Sequence, residues 1–178
     1  SHHQLRAVHD GDDVLTYEHR ASCVELDLGS GTGQALIDAG YVNPTIGTAF
    51  FGISQSCPYN FGVVTESLNE VSYDMPTASW RSVYSAQART AEEILVDEIA
   101  KAMKIDPVEM RGKFLKTADA RAVLDKVATE GDWGRSMSSG TGQGVALHAE
   151  YRSIAACLVE IDCRGEKPRV TKVVMALD

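Results

Sequence analysis

The sequence predicts an α+β fold, a mixed or antiparallel sheet with helices packed on one face. Three observations predict it. Alternating apolar and polar residues open the chain at 5–20. Helical periodicity with capping signals runs from 90 to about 131. Long apolar, β-branched runs follow a Gly/Ser-rich stretch and close the chain at 145–178.

Residues 5–10 alternate like a strand, Gly11-Asp12-Asp13 is a turn signal, and 14–20 return as a second strand, so the spacing predicts a hairpin. Residues 21–62 hold many glycines and short apolar runs with little period; they read as loop, with a short helix near 34–39. Strands are expected around 62–66 and 68–73. Thr90-Ala91-Glu92-Glu93 has capping-box spacing and opens a helix over 90–103. That helix is expected to pack through Ile94, Leu95, Ile99 and Met103, with Glu92, Glu93, Glu98 and Lys101 elsewhere. Asp106 caps a second helix with Pro107 at its first position, and Val108, Met110 and Phe114 on it. A third helix, 119–130, carries Val123, Leu124 and Val127 and stops at Gly131. The stretch 134–144 reads as a connector, dividing the chain into 1–133, 134–144 and 145–178. Two strand runs follow, 145–162 and 168–177, around Arg164-Gly165-Glu166-Lys167. A first residue other than Met and an apolar run that halts at Asp178 lead us to expect a piece of a longer polypeptide.

The 178 residues are 44% hydrophobic and 24% charged, an ordinary globular balance. A net charge of -8 argues against nonspecific nucleic-acid binding, because phosphates are repelled. Arg111, Lys113, Lys116, Arg121 and Lys126 form a mildly basic stretch, read as a solvated helix face. No apolar run approaches the ~20 residues of a membrane span. Cys23, Cys57, Cys157 and Cys163 fit no zinc spacing and read as structural free thiols. His9, His19 and His148 read as satisfied or exposed histidines, and no nucleophile–base pair or carboxylate pair stands out.

Two glycine-rich motifs compete for attention. Val24-Glu25-Leu26-Asp27-Leu28-Gly29-Ser30-Gly31-Thr32-Gly33 looks like the first motif of S-adenosylmethionine-dependent methyltransferases. Such a site needs a carboxylate ending the next strand about 20 residues on, and residues 44–62 offer none. Gly140-Thr141-Gly142-Gln143-Gly144 precedes a strand, the wrong order for an anion cradle at a helix N-terminus. The more informative segment is Trp80-Arg81-Ser82-Val83, ahead of the first helix. A guanidinium and backbone N–H groups at a helix entrance suit an anionic ligand; a buried Trp with Arg81 in a salt bridge is the competing reading.

Trp80-Arg81-Ser82-Val83, Asp97-Glu98-Ile99-Ala100, Asp106-Pro107 through Arg111, Asp132-Trp133-Gly134 and the 140–144 glycine motif, in this order, resemble the molybdenum hydroxylases, the superfamily of xanthine dehydrogenase and aldehyde oxidase. Gln55-Ser56-Cys57-Pro58-Tyr59 also looks like the family's P-Y segment, and the nearest branch looks like the large subunit of isoquinoline 1-oxidoreductase. The resemblance implies part of a molybdopterin-binding domain: residues 1–133 in a first lobe and 145–178 opening a second. It implies a molybdopterin cofactor lined by Trp80, Arg81, Ser82 and Val83, and a substrate pocket near Tyr151. It further implies hydroxylation of an aldehyde or N-heterocycle with water oxygen. The partners would be an iron–sulfur subunit or domain and the remainder of the large subunit. The family's catalytic glutamate has no counterpart in this chain, so no catalytic or metal-binding residue is assigned and no turnover is expected of the chain alone. The alternatives are a non-catalytic folding or subunit-contact module, and a methyltransferase built on Gly29, Gly31 and Gly33.

Overall fold

The computed structural model describes residues 1–25, 35, 37–40, 43–73 and 82–178. The chain forms two compact units, Ser1–Cys57 with Phe61–Leu95, and Pro58–Asn60 with Val96–Asp178. The class is α+β, built on two three-stranded sheets rather than one.

In the first unit the expected hairpin is present, as β1 (His2–His9) antiparallel to β2 (Val14–Val24). Its turn is tied by the Asp10 carboxylate, which accepts from the Asp12 and Asp13 amides at 3.0 and 2.8 Å. Gly11 supplies the left-handed residue, φ 112°. β3 (Val63–Val71) lies parallel to β2, from Thr16 opposite Val63 to Val24 opposite Val71. The two strands expected at 62–66 and 68–73 are therefore one. The parallel step requires a crossover, which carries a helix absent from the expectation for 21–62: α1 (Asn43–Gln55). Its sequence has two glycines and no charged residue, so no amphipathic stripe marks it.

α2 (Ser85–Met103) gives its first half to this unit. It starts at Ser85, so Thr90 is no cap; its hydroxyl donates back to the Ala86 carbonyl at 2.7 Å. The buried stripe also differs from expectation. Ala88, Arg89, Glu92, Val96, Ile99, Ala100 and Met103 are buried with Glu93, while Ile94 is 60% exposed. Three charged residues, Arg89, Glu92 and Glu93, are buried where Ile94 is not.

In the second unit α3 (Pro107–Phe114) starts as expected. Asp106 accepts from the Val108 and Glu109 amides at 2.8 and 3.2 Å. α4 (Ala118–Gly131) is capped by Thr117 and closed by Asp132 in the left-handed region, φ 55°. The run 145–162 is two strands, not one. β4 (Thr141–Glu150), β5 (Ser153–Asp162) and β6 (Arg169–Leu177) form an antiparallel meander. The missed turn is Tyr151-Arg152, at φ 51° and 68°, a hairpin geometry that ordinarily selects Asn or Gly. α4 packs Val123, Leu124 and Val127 on Val145, Leu147, Ala156 and Leu158. Gly131 is needed there: a Cβ on it would lie 2.4 Å from Leu158 Cδ1. Val173, Met175 and Leu177 of β6 stay exposed.

Candidate functional site

Of the four corner residues, Trp80 and Arg81 lie outside the described residues, and Ser82 and Val83 are placed. Both have left-handed backbones, φ 76° and 35°. That conformation is costly for a non-glycine residue and more so for a β-branched one, and it persists only where the surroundings enforce it. The enforcement is visible. Val83 packs on the cluster of Ala21, Cys23, Phe51 and Tyr84. Tyr84 is buried, stands edge-on to Phe51 with ring centroids 5.8 Å apart, and donates its hydroxyl to Glu70 Oε1 at 2.9 Å. Burial, then the Glu70 carboxylate, pushes the Tyr84 phenol up, so it stays a donor. Gly47 of α1 leaves room for that carboxylate; a Cβ there would sit 2.5 Å from Glu70 Oε2. On the other side Gln87 Nε2 donates to the Val83 carbonyl at 3.2 Å.

Ser82 and Val83 thus lead into α2 as a braced bend with Ser82 exposed. The first turn of α2 carries no acidic residue, so its positive dipole end is not neutralised by its own side chains. The exposed Ser82 hydroxyl and a helix entrance free of acidic side chains suit an anionic group.

Tyr151 stands in the β4–β5 turn and is 66% exposed. Gly29, Gly31 and Gly33 lie outside the described residues. The strands flanking them, β2 and β3, are parallel as a methyltransferase motif would need, but β1 is antiparallel to β2 and closes a sheet of three strands. Gly140, φ 80°, leads directly into β4 and not into a helix.

The other motif residues behind the family resemblance tie the second unit together. Arg111, expected on a solvated face, is fully buried; it donates to Asp97 Oδ1 at 2.7 Å and to the Pro107 carbonyl at 3.1 Å. Trp133 Nε1 donates to both Asp106 oxygens at 3.0 Å. Gln143 Nε2 donates to the Asp132 carbonyl at 3.1 Å, and its Oε1 accepts from the Gly134 amide at 2.9 Å. Glu160 is buried and held by a two-pronged contact from Arg135 at 3.1 and 2.8 Å.

A buried polar network in the first unit escaped the sequence reading. Tyr17 donates to Glu92 Oε2 at 3.1 Å, and Arg89 bonds Glu92 Oε1. Arg89 also reaches the Ser54 and Ser56 carbonyls at 3.4 and 3.3 Å, at the end of α1. His19 lies 3.5 Å from the Tyr17 hydroxyl and 2.9 Å from His3 Nδ1. Burial raises the Glu92 carboxyl to about 7 against the pull of Arg89, with Glu93 adding to the rise. Burial lowers His19 to about 4, helped by His3 and Arg89. The available signal was Arg89 and Glu92 in helical register with Val96 and Ile99. None of the four cysteines, all of them described, forms a disulfide, and Cys23 and Cys57 are buried.

The fold defines the class first: this is an α+β element of the kind found within larger oxidoreductases. Similar solved structures include quinoline 2-oxidoreductase from Pseudomonas putida 86, at TM-score 0.57 and 15% identity over 82% of this chain and 21% of that one. Aldehyde oxidoreductase from Desulfovibrio gigas matches at TM-score 0.56 and 15% identity, over 80% of this chain and 17% of that one. The aldehyde oxidoreductase from Desulfovibrio desulfuricans ATCC 27774 matches at TM-score 0.51 and 15% identity, over 82% and 16%. At such identity the likeness is one of fold. In sequence, 72 residues are 40% identical to isoquinoline 1-oxidoreductase subunit beta from Brevundimonas diminuta. They make up 40% of this chain and 9% of that protein. No protein-family profile matches the chain. Over 72 residues, then, the chain is similar in sequence to an oxidoreductase subunit, and in fold it is similar to parts of aldehyde and quinoline oxidoreductases; it spans about a tenth to a fifth of the length of the proteins it matches.

Proposed function

We propose that the chain is a segment of the molybdopterin-binding large subunit of an oxidoreductase that hydroxylates aldehydes or N-heterocycles with oxygen from water. Trp80, Arg81, Ser82 and Val83 line the cofactor. The observation that supports this most is the left-handed bend at Ser82 and Val83, braced by Tyr84 and Glu70 at a helix entrance free of acidic residues. In this reading the cofactor supplies the redox chemistry when bound. Arg81 contributes a fixed positive charge, and Ser82 a hydroxyl donor. The α2 entrance adds the positive end of its dipole. Tyr151 contributes an aromatic surface to the substrate pocket. Electrons pass to an iron–sulfur subunit or domain, the remaining large-subunit polypeptide completes the site, and the chain alone has no turnover.

The test is Arg81→Ala in the whole protein that carries this sequence, with molybdenum measured by mass spectrometry on the purified enzyme. Reduced metal content is expected. Unchanged content together with unchanged activity removes the corner from the cofactor site. A second reading, a subunit-contact module, draws on the exposed apolar side chains Val173, Met175 and Leu177.

A further inference from the structure

We propose that His3, His19 and Tyr17 form a directional hydrogen-bond relay that passes a proton between the half-buried His3 and the buried Glu92 carboxylate, and thereby makes the end of α1 responsive to pH.

The direction follows from the chemistry of one end. An ionised carboxylate only accepts, so the Tyr17 hydroxyl donates to Glu92 Oε2 at 3.1 Å. The Tyr17 oxygen is then an acceptor, and His19 Nδ1, 3.5 Å away, is its donor. A neutral imidazole with a proton on Nδ1 has a bare Nε2. His19 Nε2 therefore accepts from His3 Nδ1 at 2.9 Å. Each link fixes the tautomer of the next, and all donors point towards Glu92. His19, Tyr17 and Glu92 are each at most 2% exposed, so bulk water does not substitute for the links. The other ionisable groups facing these four residues include Arg89 and Glu93 on α2, Cys57 beyond α1, Glu66, opposite His19 in the β2–β3 register, and the terminal amine and His2 beside His3.

The transfer balances. His3 Nε2 accepts from the Ser1 hydroxyl at 3.1 Å, through which water delivers a proton, and His3 Nδ1 releases one to His19 Nε2. His19 Nδ1 releases one to the Tyr17 oxygen, and the Tyr17 hydroxyl proton moves to Glu92 Oε2. One proton has entered, no electron has moved, and every donor has become an acceptor. His19 now carries its proton on Nε2. Arg89 loses the Glu92 charge while Glu93 stays beside it, and it leans more on the Ser54 and Ser56 carbonyls that end α1.

The experiment is 15N NMR of the full chain with labelled histidine, the His19 signals assigned with His19→Gln. At pH 8 the expected state of His19 is neutral with the proton on Nδ1. Near pH 6 the expected state is neutral with the proton on Nε2. Proton on Nε2 at pH 8, an unchanged tautomer at pH 6, or a charged His19 at pH 6 overturns the proposal. Tyr17→Phe removes the middle link and keeps the ring beside Phe61; the tautomer exchange with pH should vanish. An exchange that persists in that variant overturns the relay, and the wild-type measurement decides alone if the variant does not fold.

Discussion

Asp106 serves two elements at once: its carboxylate caps α3 through the Val108 and Glu109 amides and receives the Trp133 indole N–H at 3.0 Å. One carboxylate thereby joins the start of α3 to the turn that follows α4. These residues stand far apart in sequence, in two of the motifs on which the family resemblance rests.

Asp106→Ala should therefore destabilise the chain by more than a simple cap loss. A cap contributes about 1 kcal/mol and a hydrogen bond with a charged partner about 1.5–3 kcal/mol, so a loss of about 2–4 kcal/mol is expected in urea unfolding. Asp106→Asn should recover the cap, about 1 kcal/mol, since an amide oxygen still accepts from the Val108 and Glu109 amides. Equal losses for the two variants would show that the carboxylate is not shared.

Arg111 and Asp97 form an unequal pair. Arg111 is fully buried, whereas the Asp97 side chain is 49% exposed. Loss of Asp97 leaves the guanidinium its Pro107 carbonyl contact, whereas loss of Arg111 also removes the packing of its stem. Arg111→Ala should cost about 3 kcal/mol or more, by the measure of a broken buried pair, and Asp97→Ala less than half as much. Thermal or urea denaturation of both variants checks the order.

Stability against pH should carry opposed contributions from two neighbours. The folded Glu92 carboxyl is raised to about 7 from 4.5, so the native state binds more protons than the unfolded chain between those values, and this contribution falls as pH rises. The folded His19 is lowered to about 4 from 6.5, so the unfolded chain binds more protons there, and this contribution grows with pH. The two offset each other between about pH 4.5 and 6.5. Relative to wild type, Glu92→Gln should make stability rise more steeply with pH in that window, and His19→Gln should make it fall. Urea midpoints at pH 4.5, 5.5 and 6.5 report both slopes.

Val173, Met175 and Leu177 alternate along β6, each more than half exposed. An apolar strand of this kind favours association. The purified chain should self-associate at high concentration in size-exclusion chromatography with light scattering, and Met175→Lys should shift it towards monomer. A wild-type monomer at all concentrations would contradict this.

What the sequence disclosed was local. The Gly11-Asp12-Asp13 turn, the Asp106-Pro107 start and the apolar period ending at Gly131 each depend on neighbours a few residues away, and each is found where the residues put it. What stayed hidden depends on partners distant in sequence. α1 has no polar face to set against its apolar one, so periodicity is silent. The β4–β5 turn uses Tyr151 and Arg152 in a backbone that usually calls for glycine. Arg89 and Glu92 look like surface residues until Tyr17 and the Ser54 and Ser56 carbonyls supply their partners. Of the corner, Ser82 and Val83 were legible as the entrance to a helix, although the helix starts at Ser85 and the strain in their backbone has no marker in the sequence.

The side-by-side parallel arrangement of β2 and β3 sets an order of events. The β1–β2 ribbon and the β4–β5–β6 meander close through short loops. By contrast, β3 can dock only after a long stretch of chain, α1 included, has been gathered between it and β2. Contacts that span more sequence form more slowly, so the carboxy-terminal half should reach its native arrangement first, while the layer that braces the Ser82–Val83 bend is assembled last.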